Sequence, residues 1–112
     1  MERVQKIAQA LYDKKATNIV CLDVSEITSI ADYFIICSCQ STTQLRAVTD
    51  NVEEKMSEAG YEPSHKEGYH GGTWVLIDYH DIVVHIMTEE TRDFYSLENL
   101  WSDSKKLDIK LD

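Results

Sequence analysis

Two β-rich runs lie almost end to end, Thr73–Tyr79 (TWVLIDY) and Asp81–Met87 (DIVVHIM), with only His80 between them. Runs separated by so little can pair only as a tight antiparallel hairpin, so a sheet has to sit at the centre of the fold. The runs also carry groups that a hairpin does not need in order to fold. Trp74, Asp78, Tyr79, Asp81 and His85 place rings and polar groups in strands otherwise suited to burial. They are the first candidates for function.

Two further strands are expected at Asn18–Val24 and Tyr33–Cys39, both apolar on two faces and so central or covered on both sides. Residues 2–14 read as an amphipathic helix, with Val4, Ile7, Ala8 and Leu11 in one stripe. A second helix starts at Ser41, which with Gln44 has the spacing of a capping box, and stops at Gly60. All four glycines and the single proline fall between residues 60 and 72, which predicts a long loop, mobile at Ser64–Gly72. Thr88 caps a third helix running to Trp101, with Phe94, Leu97, Leu100 and Trp101 as its apolar stripe. Leu107, Ile109 and Leu111 alternate with charged residues as in a short edge strand. The expected fold is one α/β (α+β) domain over residues 1–112, a single mixed sheet with packed helices in the order α-β-β-α-β-β-α.

The net charge is −9, from 20 acidic and 11 basic residues. Affinity for nucleic acid rests on Lys and Arg neutralising phosphates, so an RNA or DNA binder is disfavoured and a basic partner surface is favoured. No apolar run is long enough to span a membrane, and the first residues lack the apolar core of a signal peptide. A cytoplasmic location is expected. Cys21, Cys37 and Cys39 are an odd number set in apolar runs, which fits buried thiols better than disulfides.

Enzymatic signatures are sparse. The four histidines show no zinc-binding spacing, and neither a nucleophile elbow nor a P-loop is present. One catalytic alternative draws Asp32, Asp78 and Asp81 together as carboxylate ligands for divalent metal in phosphoryl transfer. Against it, aspartates beside a turn commonly serve the backbone. His85 shares a strand side with Asp81 and Val83 but has no accompanying nucleophile. The expectation is a protein without catalytic residues, metal or cofactor.

Thr28-Ser-Ile-Ala-Asp-Tyr-Phe34, Gln44, Glu67-Gly68, Trp74–Tyr79, Asp81–His85 and Arg92–Trp101, in this order, closely resemble the iojap family. Its bacterial members are called ribosomal silencing factors. The resemblance covers nearly the whole chain. It implies a nucleotidyltransferase-like fold without the catalytic signature. It further implies binding to the large ribosomal subunit through ribosomal protein L-fourteen, with little direct RNA contact, so that small-subunit joining is blocked and translation falls. Trp74, Asp78, Tyr79, Asp81 and His85 match the hairpin positions expected to face that partner. Asp32, Tyr33, Arg92, Tyr95, Glu98 and Trp101 match supporting motif positions. A homodimer using the same face is the competing occupant. Two departures are local: His80 and Cys39 stand where many members have Gly, and a turn at His80 often requires positive φ.

Overall fold

The computed structural model describes residues 2–111, without the side chains of Glu98 and Leu100. Helix α1 spans Glu2–Asp13 and is followed by strands β1 (Thr17–Asp23) and β2 (Tyr33–Cys39) and helix α2 (Thr42–Glu58). Strands β3 (His65–Glu67), β4 (Trp74–Asp78) and β5 (Ile82–Thr88) come next. Two short helices, α3 (Glu89–Tyr95) and α4 (Leu97–Leu100), lead to strand β6 (Lys105–Leu107). The six strands form one sheet in the order β3-β4-β5-β2-β1-β6. The β2–β5 pair at its centre is parallel and the others are antiparallel.

Strand side chains alternate between faces, and each face has its own core. On one side α1 and α2 cover Cys21, Ile35, Cys37, Val75, Ile77, Ile82, Val84 and Ile86. On the other, Leu22, Phe34, Ile36, Val83 and Met87 pack under Leu97 and Trp101, with Val20, Trp74 and Leu76 only half covered. The helix side is closed and the second side is partly open. Among the described residues, no helix is long and apolar enough to cross a membrane.

The N-cap of α2 is Ser41, whose hydroxyl accepts from the Gln44 N–H (3.1 Å). The return bond from Gln44 reaches one residue further than a capping box requires, to the Gln40 N–H (2.7 Å). The same side chain donates to the Lys15 carbonyl (2.9 Å), tying the end of α1 to the start of α2. Gly60 ends that helix with φ at +90°.

Three expectations need correction. The loop before β4 is not loose, because His65–Glu67 pairs antiparallel with β4. Arg46 also donates to the carbonyls of Tyr69 (3.1 Å) and His70 (2.8 Å), holding the rest of the segment against α2. The helix from Thr88 to Trp101 is broken at Ser96, a left-handed residue (φ 47°), and Phe94 lies outside the core it was expected to join. The last strand is Lys105–Leu107, and Ile109 and Leu111 beyond it pack against the helix-side core without joining the sheet.

Gly68 shows how firmly the loop is held. It has φ of +85°, and a Cβ there would meet the Trp74 carbonyl oxygen at 1.9 Å. Gly60 has a similar φ, but a Cβ would meet nothing within 4 Å. Gly60→Ala should therefore cost only the backbone penalty of about 1–2 kcal/mol. Gly68→Ala should cost clearly more, since β3 and β4 must separate. Urea midpoints of the two variants measure the difference; equal midpoints would show that the β3 segment is not tied to β4.

Candidate docking face

The hairpin turn explains the local roles of two of its three polar residues. Asp78 Oδ1 accepts from the His80 N–H (2.8 Å), and the Asp81 N–H closes back on the Tyr79 carbonyl (3.1 Å). His80 has φ of 73°, the left-handed conformation expected for a residue standing in place of Gly. The Asp81 carbonyl accepts from the N–H groups of Asp32 (2.8 Å) and Tyr33 (3.0 Å). Its carboxylate forms a bidentate ion pair with Arg3 of α1 (Nη1 to Oδ1 2.7 Å), and hydrogen bonding to that guanidinium holds the Asp81 pKa below the usual carboxylate value. Asp81 is therefore committed within the fold.

The five hairpin candidates do not form one patch. Strand alternation sends Trp74, Leu76 and Asp78 to the partly open face, where they sit opposite Met87, His85 and Val83 of β5. Tyr79 points the other way and is buried in the helix-side core at 4% exposure. Among the described residues its hydroxyl has no hydrogen-bond partner, and burial pushes its pKa well up. Tyr79 is thus buried where exposure was expected, and Asp81, half-exposed, is paired with Arg3. Trp74 and Asp78 remain on the open side, and His85, expected to be exposed with them, points to that side but is buried against Trp74.

On that side six rings touch in sequence, from solvent to core. Phe94 meets Tyr95 edge-on (5.0 Å between centroids), and Tyr95 lies on Trp74 (5.0 Å). Trp74 approaches His85 (5.9 Å), His85 meets Phe34 (5.4 Å), and Phe34 meets Trp101 (4.9 Å). Exposure falls along the chain from 81% at Phe94 through 53% at Tyr95 to 6% at His85. Three of these five contacts are edge-to-face and the two made by Trp74 are tilted at 51°; such contacts fix ring orientation as well as burying area.

The link between Trp74 and His85 is polar. Trp74 Nε1–H donates to His85 Nδ1 (3.1 Å), and since the indole nitrogen can only donate, the neutral imidazole carries its proton on Nε2. Burial lowers the pKa of His85 from 6.5 to about 4. Protonation would set two donors against each other, so the bond requires the neutral ring.

The supporting residues divide in two. Arg92 is buried under α3 and donates to the Asn18 carbonyl and to the Ser38 hydroxyl (3.0 Å), fastening the helix to β1 and β2. Trp101 packs on Phe34, and Tyr33 lies half-buried against the helix-side core. Asp32 serves through its backbone, since its carbonyl also accepts from Val24 N–H (2.9 Å), while its side chain is exposed. Tyr95, by contrast, belongs to the open face. The side chains of Glu98, expected in the supporting motif, and Leu100, expected in the apolar stripe, lie outside the described residues.

The face also includes two residues outside the candidate set, Leu76 and Phe94. Leu76 could have been found by parity with Trp74 and Asp78. Phe94 could not, because its outward position depends on the break at Ser96. Exposed acids stand on the same elements as the rings: Glu89, Glu90 and Asp93 on α3 with Phe94 and Tyr95, and half-exposed Asp78 on β4 with Trp74. The carboxylates of the catalytic alternative do not converge, and among the described residues no three His, Cys, Asp or Glu are grouped to hold a metal ion.

The fold and this face define a class: small α/β proteins with a mixed six-stranded sheet, helices closing one face and a short helical strap leaving the other half open. The chain belongs to the family described as RsfS, ribosomal silencing factor during starvation, whose profile matches residues 1–112. It is 38% identical over 109 residues to the ribosomal silencing factor of Halalkalibacterium halodurans, covering 97% of this chain and 93% of that protein. A crystal structure of a Chromobacterium violaceum protein superposes with a TM-score of 0.88 at 35% identity, covering 99% of this chain and 92% of the other. A more distant relative is the mouse protein named for mitochondrial assembly of the ribosomal large subunit, 30% identical over 102 residues, or 88% of this chain and 45% of that protein.

The buried imidazole makes stability depend on pH. The unfolded chain takes up this proton near pH 6.5 and the folded chain only near pH 4. The contribution is complete above pH 6.5, falls as pH drops from 6.5 to 4, and is flat below; its size is about 3 kcal/mol. Urea unfolding from pH 7 to 4.5 should show a steeper acid loss in the wild type than in His85→Gln. Identical slopes would show that His85 is not held neutral.

Proposed function

We propose that this chain silences translation by docking its open aromatic face on a basic protein surface of the large ribosomal subunit, so that the small subunit cannot join. The observation that carries the reading is the ledge formed by Trp74 and Tyr95, which shares its β4 face with Leu76 and Asp78 and adjoins α3 with its exposed acids Glu89, Glu90 and Asp93. Aromatic side chains bury a large area at low entropic cost and dominate binding energy, while a rim of one charge steers encounter with the opposite charge. At −9 the chain is repelled by bare RNA, so a protein patch rich in Lys and Arg is the site it can approach.

Membership in the silencing-factor family supplies the ribosome as target, and the mouse relative's name points to the large subunit. The motif resemblance supplies ribosomal protein L-fourteen as the docking point, and with it a cytoplasmic site of action. Within this reading Trp74 is the central anchor, and His85 sets its orientation through the indole hydrogen bond. Asp78 contributes charge at the rim. Arg92, Trp101, Asp32 and Tyr33 hold the framework.

Wild-type protein should co-sediment with isolated large subunits and slow their joining to small subunits. Trp74→Ala should weaken binding by at least about tenfold, the scale of a hot-spot truncation, and restore joining. Asp78→Asn should weaken it less and reduce its dependence on salt. Normal joining beside saturating wild-type protein would sink the proposal. A mixture of large subunits depleted of L-fourteen tests the docking point separately.

A further inference from the structure

Phe94 is the most exposed large apolar side chain described, at 81%, though its sequence neighbourhood marks it for a core. In an unbroken helix it would share a stripe with Leu97 and Trp101, three and seven residues on. The left-handed turn at Ser96 separates them: Leu97 and Trp101 enter the sheet-side core, and Phe94 stays outside. The Phe94 ring is not loose, since it stands edge-on against Tyr95 at 82°, which itself rests on Trp74. A single exposed apolar side chain needs no explanation, but a ring braced at the end of an aromatic ledge is a different case.

We infer that Phe94 is a pre-positioned anchor that inserts into an apolar pocket on a basic protein partner. This rests on the docking reading above and extends it to a residue outside the hairpin. Because its orientation is already restricted, docking loses little rotamer freedom. The chemistry of the partner follows from the surroundings. Glu90 lies one helical turn before Phe94 and Asp93 directly precedes it, both exposed. Carboxylates there oppose a phosphate backbone, so stacking on RNA bases is disfavoured, and a second copy of a chain at −9 would bring like charge to like. A pocket rimmed by Lys or Arg satisfies both the ring and the acids.

The test uses the whole chain and isolated large ribosomal subunits, with binding read by equilibrium co-sedimentation and folding by thermal midpoint. Phe94→Ala should weaken binding by at least about tenfold with an unchanged midpoint. Phe94→Leu should stay within about threefold of wild type, and Tyr12→Ala, on α1, should have no effect. If Phe94→Ala binds like wild type while Trp74→Ala does not, the sheet face docks without this ring and the inference fails alone. If wild-type protein does not sediment with large subunits, the docking reading and the inference fall together. A lowered midpoint for both Phe94 variants would make the ring a packing element and overturn the inference. Capture by protein-free ribosomal RNA, or dimers lost on Phe94→Ala in light scattering, would overturn the assigned partner.

Discussion

The parallel ladder between β2 and β5 is the constraint from which the rest of the architecture follows. It runs through seven residue pairs from Tyr33–Ile82 to Cys39–Thr88. Two parallel neighbours cannot be joined by a tight turn, so the chain between them must cross over, and α2, β3 and β4 occupy that crossover. The Asp81 carbonyl starts the ladder by taking the N–H groups of Asp32 and Tyr33. One residue therefore ends the hairpin turn, opens the parallel pairing and ties α1 through Arg3. That is sufficient reason for an aspartate at this place without a partner.

The register of this ladder also decides which side chains lie on the open face. Successive residues of β4 and β5 face opposite sides, so a motif that reads as one cluster is divided by the pleat. Asp78 and Tyr79 are adjacent in the chain and have opposite fates. Because α1 and α2 seal the helix side, the sheet face left partly open is the one that carries Trp74, Leu76 and Asp78.

Much of this was readable before any coordinates. The hairpin, the caps at Ser41 and Thr88, the stop at Gly60 and the burial of β2 and β5 follow from local chemistry and period. Strand parity alone also separates Tyr79 from Trp74. Other features are not local. His65-Lys-Glu67 has no apolar pattern and is a strand only because β4 offers it an edge. Arg3 and Asp81 are 78 residues apart, so no spacing rule connects them. Ser96 is unremarkable as a residue type, yet its positive φ redirects everything after α3.

That redirection joins stability to recognition. A non-glycine residue in the left-handed region costs about 1–2 kcal/mol, and such strain tends to persist where it serves a site. Here the same turn sends Leu97 and Trp101 down onto Phe34 and leaves Tyr95 above Trp74. The inward residues bury part of a sheet face that would otherwise be open, and the outward residues enlarge the aromatic ledge. A longer continuous helix would have covered that face more evenly and hidden Phe94. The interruption trades a fully covered sheet for a ledge whose outer rings are braced by rings in the core. A surface held in this way can meet a rigid, basic partner without first having to order itself.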